Sequence, residues 1–153
     1  MTVAPDRDVA AALRSSRLFA HLPEGDLGEL AVTSRTVDLA AGEVLMAEGS
    51  PPEAMYVVLS GELEVSRDVG GSAVLLNVCV AGDLVGELGI AHGRPRSATV
   101  RARTPSRVQR IGADALDRLF THPQSARAML LAATRRLDRD QPAVPGATRR
   151  TPV

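Results

Sequence analysis

The sequence predicts a mainly β domain with helices at both ends, an α+β arrangement, and three observations carry that prediction. Apolar residues recur at helical spacing over residues 10–31, short alternating runs broken by glycine fill residues 32–111, and helical spacing returns after Gly112. The chain has 153 residues, 44% hydrophobic and 24% charged, which suffices for one compact domain with its own core but not for two.

In the first segment Leu13, then Leu18 and Phe19, then Leu27 and Leu30 give short helices one apolar face, with a break at Leu22-Pro23-Glu24-Gly25. Two short helices joined by a turn follow from that spacing. In the middle, Met55, Val57, Leu59, Leu63 and Val65 share one parity with Gly61 between them, and Val74, Leu76, Val78 and Val80 share another. Asp68-Val69-Gly70-Gly71 separates these runs and reads as a hairpin tip. Further turn signals at Ala41-Gly42, Glu48 to Pro52, Ala81-Gly82-Asp83 and Thr104-Pro105-Ser106 make the strands short, as in a sandwich, roll or barrel. After Gly112, Leu116, Leu119 and Phe120 share a helix face, a stop falls at His122-Pro123, and Ala126, Met129, Leu130, Ala133 and Leu137 predict a longer helix over 124–137. The expected organisation is an N-terminal tail over 1–9, one domain over 10–139 and a disordered, proline-containing tail over 140–153.

Composition excludes several classes. All 18 basic residues are Arg, matched by 18 acids, and the only aromatics are Phe19, Tyr56 and Phe120, too few for a base-stacking platform. Cys79 is the sole cysteine, so an intramolecular disulfide and a multi-cysteine zinc site are both excluded, and its place among apolar strand residues marks it as a buried small hydrophobe. No apolar run approaches a membrane span and residues 1–8 do not read as a signal peptide, which sets the expectation of a soluble cytoplasmic protein. The zero net charge is a cancellation: residues 1–93 hold 5 Arg and 14 acids, residues 94–153 hold 13 Arg and 4 acids. Arg94, Arg96, Arg101, Arg103, Arg107 and Arg110 form a run without an acid, expected to fold back on the acidic first half instead of meeting an extended polyanion.

Residues 82–100 carry the chemistry. A stretch holding Gly82, Gly86, Gly89 and Gly93 turns sharply and lets a ligand approach its backbone. A helical turn over 87–91 would point its N–H groups at an anion, and the fork of Arg96, entered through Pro95, would meet the same anion. A carboxylate at Glu87 beside a phosphate needs its own role, and a ribose hydroxyl supplies one. Phosphate with ribose points to a nucleotide.

Gly86-Glu87-Leu88 followed by Pro95-Arg96-Ser97-Ala98-Thr99-Val100 resembles the phosphate-binding cassette of the cyclic nucleotide-binding domains in the catabolite activator protein, the regulatory subunits of cyclic AMP-dependent protein kinase and the cyclic nucleotide-gated channels. The resemblance extends to Gly42, Gly49, Gly61, the Met55-Tyr56-Val57-Val58 strand and the Gly82-Asp83 turn, and covers residues 16–139. It implies a stand-alone double-stranded β-helix, a jelly-roll-like β-roll, with N-terminal helices and two C-terminal helices. It also implies a ligand-binding set of Gly86, Glu87, Leu88, Arg96, Ser97 and Ala98, with Arg96 on the cyclic phosphate of cyclic AMP or cyclic GMP and Glu87 on the ribose 2'-hydroxyl. Val85 departs from the family's usual aromatic residue, and Ser97 leaves the choice of base open. The helix over 124–137 would close over the base through Met129, Leu130 or Thr134, or form a dimer seam.

Other readings weigh less. Arg96 alone would be a solvated strand-end arginine and Glu87 alone a helix cap; their joint spacing raises both. His21, His92 and His122 are far apart and form no metal-ligand pair, and His92 has no nucleophile in recognisable context, so no cofactor, metal, catalytic site or enzymatic activity is expected. A KH-type GxxG loop is disfavoured by Glu87. A cyclic nucleotide sensor acting on a protein partner or a homodimer is the leading reading. A regulatory subunit or adaptor with the same fold, or a transcription-regulator-like chain lacking its DNA-binding part, is the alternative, and nucleic acid and membrane are not expected partners.

Overall fold

The computed structural model describes residues 7–16, 19–20, 22–86, 90 and 93–120. Helix α1 spans Arg7–Ser15 and α2 spans Glu24–Thr33. Eight strands follow: β1 (Arg35–Leu39), β2 (Val44–Met46), β3 (Ala54–Ser60), β4 (Leu63–Val69), β5 (Ser72–Cys79), β6 (Leu84–Val85), β7 (Thr99–Ala102) and β8 (Ser106–Gly112), with α3 (Ala113–Phe120) after them.

Helix α1 starts inside the stretch expected to be a tail, because Val9 lies one turn before Leu13 and both pack on the same core. Ser16 closes it: its hydroxyl donates to the Leu13 carbonyl at 2.7 Å and accepts from the Phe19 N–H at 3.2 Å. Helix α2 starts after Pro23, carries Glu24 and Asp26 in its first turn, where the helix dipole favours acids, and buries Leu27 and Leu30. Leu116 of α3 is fully buried; the side chains of Leu119 and Phe120, the helix expected over 124–137 and the tail over 140–153 lie outside the described residues, as does Leu18.

The strands form two antiparallel four-stranded sheets, β1-β8-β3-β6 and β2-β7-β4-β5, the two layers of a β-roll. Two cores result. Met55, Val57 and Ile111 of the first sheet pack with Leu13, Leu27, Leu30 and Leu116 of the helices and with Phe19 in the turn between α1 and α2. Ala54, Tyr56, Val58 and Val108 pack across the roll on Leu63, Val65, Val100 and Cys79 of the second sheet.

Two strand readings change. The parity set from Met55 to Val65 does not share a face: Met55 and Val57 meet the helices, whereas Leu63 and Val65 line the roll. A register shift between Val58 and Ser60 interrupts the alternation, and β3 and β4 belong to different sheets. In β5 a second shift, between Val65 and Ser66 of its partner, breaks the alternation; Val74 is exposed and Cys79 buried, and Val80, just past the strand, is exposed. The hairpin tip stands as expected, with Val69 paired to Ser72 across Gly70-Gly71, both at positive φ (60° and 87°), the conformation a two-residue type I′ turn requires.

The charge halves do fold on each other. Arg107 donates to Asp38 at 2.7 Å and Arg118 to Glu29 at 3.4 Å, each joining the basic part to the acidic part.

Candidate functional site

The site lies where the chain passes from one sheet to the other. Strand β6 pairs with β3 through Tyr56–Val85 and Val57–Leu84, and Gly86 follows at φ +88°. A Cβ on Gly86 would stand 2.7 Å from Arg96 Nη1, 3.1 Å from Met46 Sδ and 3.3 Å from the Ala54 carbonyl, so only glycine allows this approach.

Arg96 is 6% exposed, an unusual place for a guanidinium, and burial of that kind demands hydrogen-bond partners. Its Nη1 donates to the Gly86 carbonyl at 3.0 Å and its Nη2 to the Ala54 carbonyl. The Arg96 main chain is fixed as well: its N–H donates to the Ser50 carbonyl and its carbonyl accepts from the Gly49 N–H, both at 2.8 Å. The turn between β2 and β3 therefore grips Arg96 from one side while β3 and the end of β6 orient its fork. Ser97 is half-buried and Ala98 is fully buried in the roll core, immediately before β7.

Of the six residues singled out in the sequence, the structure brings together Gly86, Arg96, Ser97 and Ala98; Glu87 and Leu88 lie outside the described residues, as do His21 and His92. Ile90 is helical and packs on the helix-side core. Three contributors were missed. Gly49 and Ser50 act through main-chain atoms, and Arg67 donates from Nε to the Ser97 carbonyl at 3.0 Å. The signal for Arg67 was its parity, since it continues the inward set of Leu63 and Val65 with a charge.

A groove of about 400 Å³ lies on the other face of β4, lined by Glu64, Ser66 and Asp68 with Glu48, Thr99 and Arg101. It does not include Arg96 or Gly86. Among the described residues, no group of three or more His, Cys, Asp or Glu side chains is placed to hold a metal, and no helix is long and apolar enough to cross a membrane. Away from the site, the hydrogen bond to Asp38, and then that carboxylate's charge, raise the pKa of Arg107.

This combination of a glycine-gated turn and a buried, preoriented arginine fork can hold a small anion. Residues 36–122, more than half of the chain, match the family model described as the cyclic nucleotide-binding domain. The chain belongs to that family. An uncharacterized ABC transporter ATP-binding protein of Mycobacterium tuberculosis is 39% identical over 108 residues, 65% of this chain and 32% of that protein, so the chain spans about a third of this curated relative. The regulatory domain of Toxoplasma gondii PKA, co-crystallised with cAMP, superimposes with a TM-score of 0.70 at 30% identity, covering 86% of this chain and 47% of that one. The N-terminal domain of a transcriptional regulator from Streptomyces coelicolor A3(2) does so with a TM-score of 0.70 at 33% identity, covering 89% and 99%. The β-roll expected from the cassette is the fold of these neighbours.

Proposed function

We propose that this chain is a cyclic nucleotide sensor that binds cyclic AMP or cyclic GMP at the turn holding Gly86 and Arg96 and passes the signal to a partner protein or a second copy. The observation that carries this reading is the buried Arg96 fork, held by two carbonyl acceptors and by main-chain bonds to Gly49 and Ser50. Those bonds fix the guanidinium plane before an anion arrives, which lowers the ordering cost of binding. A cyclic phosphate meets charge-assisted donors there, and desolvation inside the roll strengthens them. The N–H groups near Gly86, Leu88 and Ala98 complete the cradle, and Glu87 takes the ribose 2'-hydroxyl. Ser97 offers a hydroxyl to the phosphate or to the amine of a syn guanine, so base preference turns on that residue and on the helix expected over 124–137, whose movement would carry the output. No catalytic step is assigned to the domain, and we place it in the cytoplasm.

Calorimetric titration with cyclic AMP and cyclic GMP tests this. Wild type is expected to bind at least one, and Arg96→Ala to weaken that binding about a hundredfold or more, the cost of leaving a buried charge without its partner. Absence of binding at millimolar nucleotide, or equal affinity in the variant, would sink the reading.

A further inference from the structure

The inward face of β4 ends in a charge. Leu63 and Val65 are fully buried in the roll core, Arg67 follows at the same parity and is half-buried, and the intervening Glu64, Ser66 and Asp68 line the groove on the opposite face. The β4–β7 ladder runs from Leu63–Ala102 to Ser66–Thr99 and its main-chain pairing stops there. One step further along, the Arg67 side chain takes over, with Nε donating to the Ser97 carbonyl at 3.0 Å. The next residue is tied down too. The Asp68 N–H donates to Glu48 Oε1 at 3.0 Å, and the Glu48 N–H donates to Thr99 Oγ1 at 3.0 Å.

The acceptor matters more than the length of the bond. The Ser97 carbonyl and the Ala98 N–H belong to one planar trans peptide unit and point in opposite directions. Fixing that oxygen therefore fixes where the Ala98 N–H points, and a guanidinium on the oxygen polarises the unit so that the N–H becomes a better donor. We propose that Arg67 is a positioning residue for anion binding, which holds the Ser97 carbonyl so that the Ala98 N–H faces the phosphate seated against Arg96. This rests on the cyclic nucleotide reading above and adds to it a role for the β4–β5 hairpin, because the same arginine links hairpin position to cassette geometry.

The test is calorimetry of cyclic AMP and cyclic GMP with wild type, Arg96→Ala, Arg67→Ala and Arg67→Lys, with thermal unfolding of each protein measured without ligand. Arg67→Ala is expected to weaken binding about tenfold while unfolding cooperatively. Arg67→Lys, which keeps a charged donor, is expected to recover part of the loss, a rescue that stem packing alone does not give. If Arg67→Ala does not fold, Arg67→Met keeps the apolar stem and carries the same expectation. Wild-type binding that is lost in Arg96→Ala but within twofold in the neutral Arg67 variant overturns this proposal alone. No binding by wild type overturns both.

Discussion

The first sheet is buried on both faces along its strand β3 and the second sheet on one face, and that difference organises the molecule. Five consecutive residues of β3, Ala54 to Val58, are buried, because odd positions meet the helices and even positions meet the roll. In β4 burial alternates, with Leu63 and Val65 inside while Glu64 and Ser66 are only partly buried. A strand covered on both sides has no solvent face to spare for polar chemistry, as in sheets packed between layers. The candidate site uses both sheets: β3 and the residue that follows β6 in the first supply the carbonyls that orient Arg96, and the Arg96 main chain runs on into β7 of the second. A ligand there bears on the seam between the two sheets.

The sharpest way to break the comparison is to pair a substitution on a buried face of the first sheet with one on the outer face of the second. Val57→Asp would bury a charge between the first sheet and the helices, where the wild-type side chain is fully buried, and is expected to cost more than about 4 kcal/mol and abolish cooperative folding. Ser66→Thr, on the outer face of the second sheet, is expected to shift stability by no more than about 0.5 kcal/mol. Chemical denaturation followed by circular dichroism checks both. A folded Val57→Asp protein would mean that the helices do not seal that face.

The same contrast explains what the sequence makes legible. The Gly70-Gly71 tip is readable because a two-residue turn with two positive φ angles selects glycine directly. The cassette is readable because Gly86 and Arg96 are each dictated by a local demand, a close approach and a buried fork. Parity fails at Met55 to Val65, since two buried faces leave no polar alternation to mark them and the shift near Ser60 is silent in residue type. Arg67, Gly49 and Ser50 were missed for another reason. Their bonds run to or from the main chain of a segment about 30 to 50 residues away, and a main-chain partner leaves no trace in composition.

Glycine replacements sharpen the contrast between seam and rim at intermediate cost. Gly86→Ala puts a Cβ at φ +88°, 2.7 Å from Arg96 Nη1, and the flexible end of the arginine must move. A loss of about 1–3 kcal/mol in stability is expected, together with at least about tenfold weaker nucleotide binding, because the displaced group is the proposed anion donor. Gly71→Ala also strains a positive φ, 87°, but its Cβ meets nothing within 4 Å. It should cost about 1–2 kcal/mol and leave affinity within about twofold. Denaturation and calorimetry on the two variants separate strain from site geometry, and equal effects on binding would place the seam elsewhere.

The smallest effect is expected at the solvent edge of the buried sheet. Asp38 and Arg107 stand directly opposite each other on β1 and β8, at 2.7 Å, with side chains 66% and 58% exposed. The pair raises the pKa of Arg107, yet that group stays protonated at any working pH, so the shift confers no pH switch there. Water and salt screen such a pair, and ordering two side chains offsets its attraction. Asp38→Asn should therefore leave the unfolding temperature within about 1 °C of wild type at moderate salt, as read by differential scanning fluorimetry. A larger drop that disappears at high salt would show that β1 is held to β8 by charge as well as by the apolar Val37–Val108 pairing on the same two strands, making the edge of the doubly buried sheet its weakest boundary.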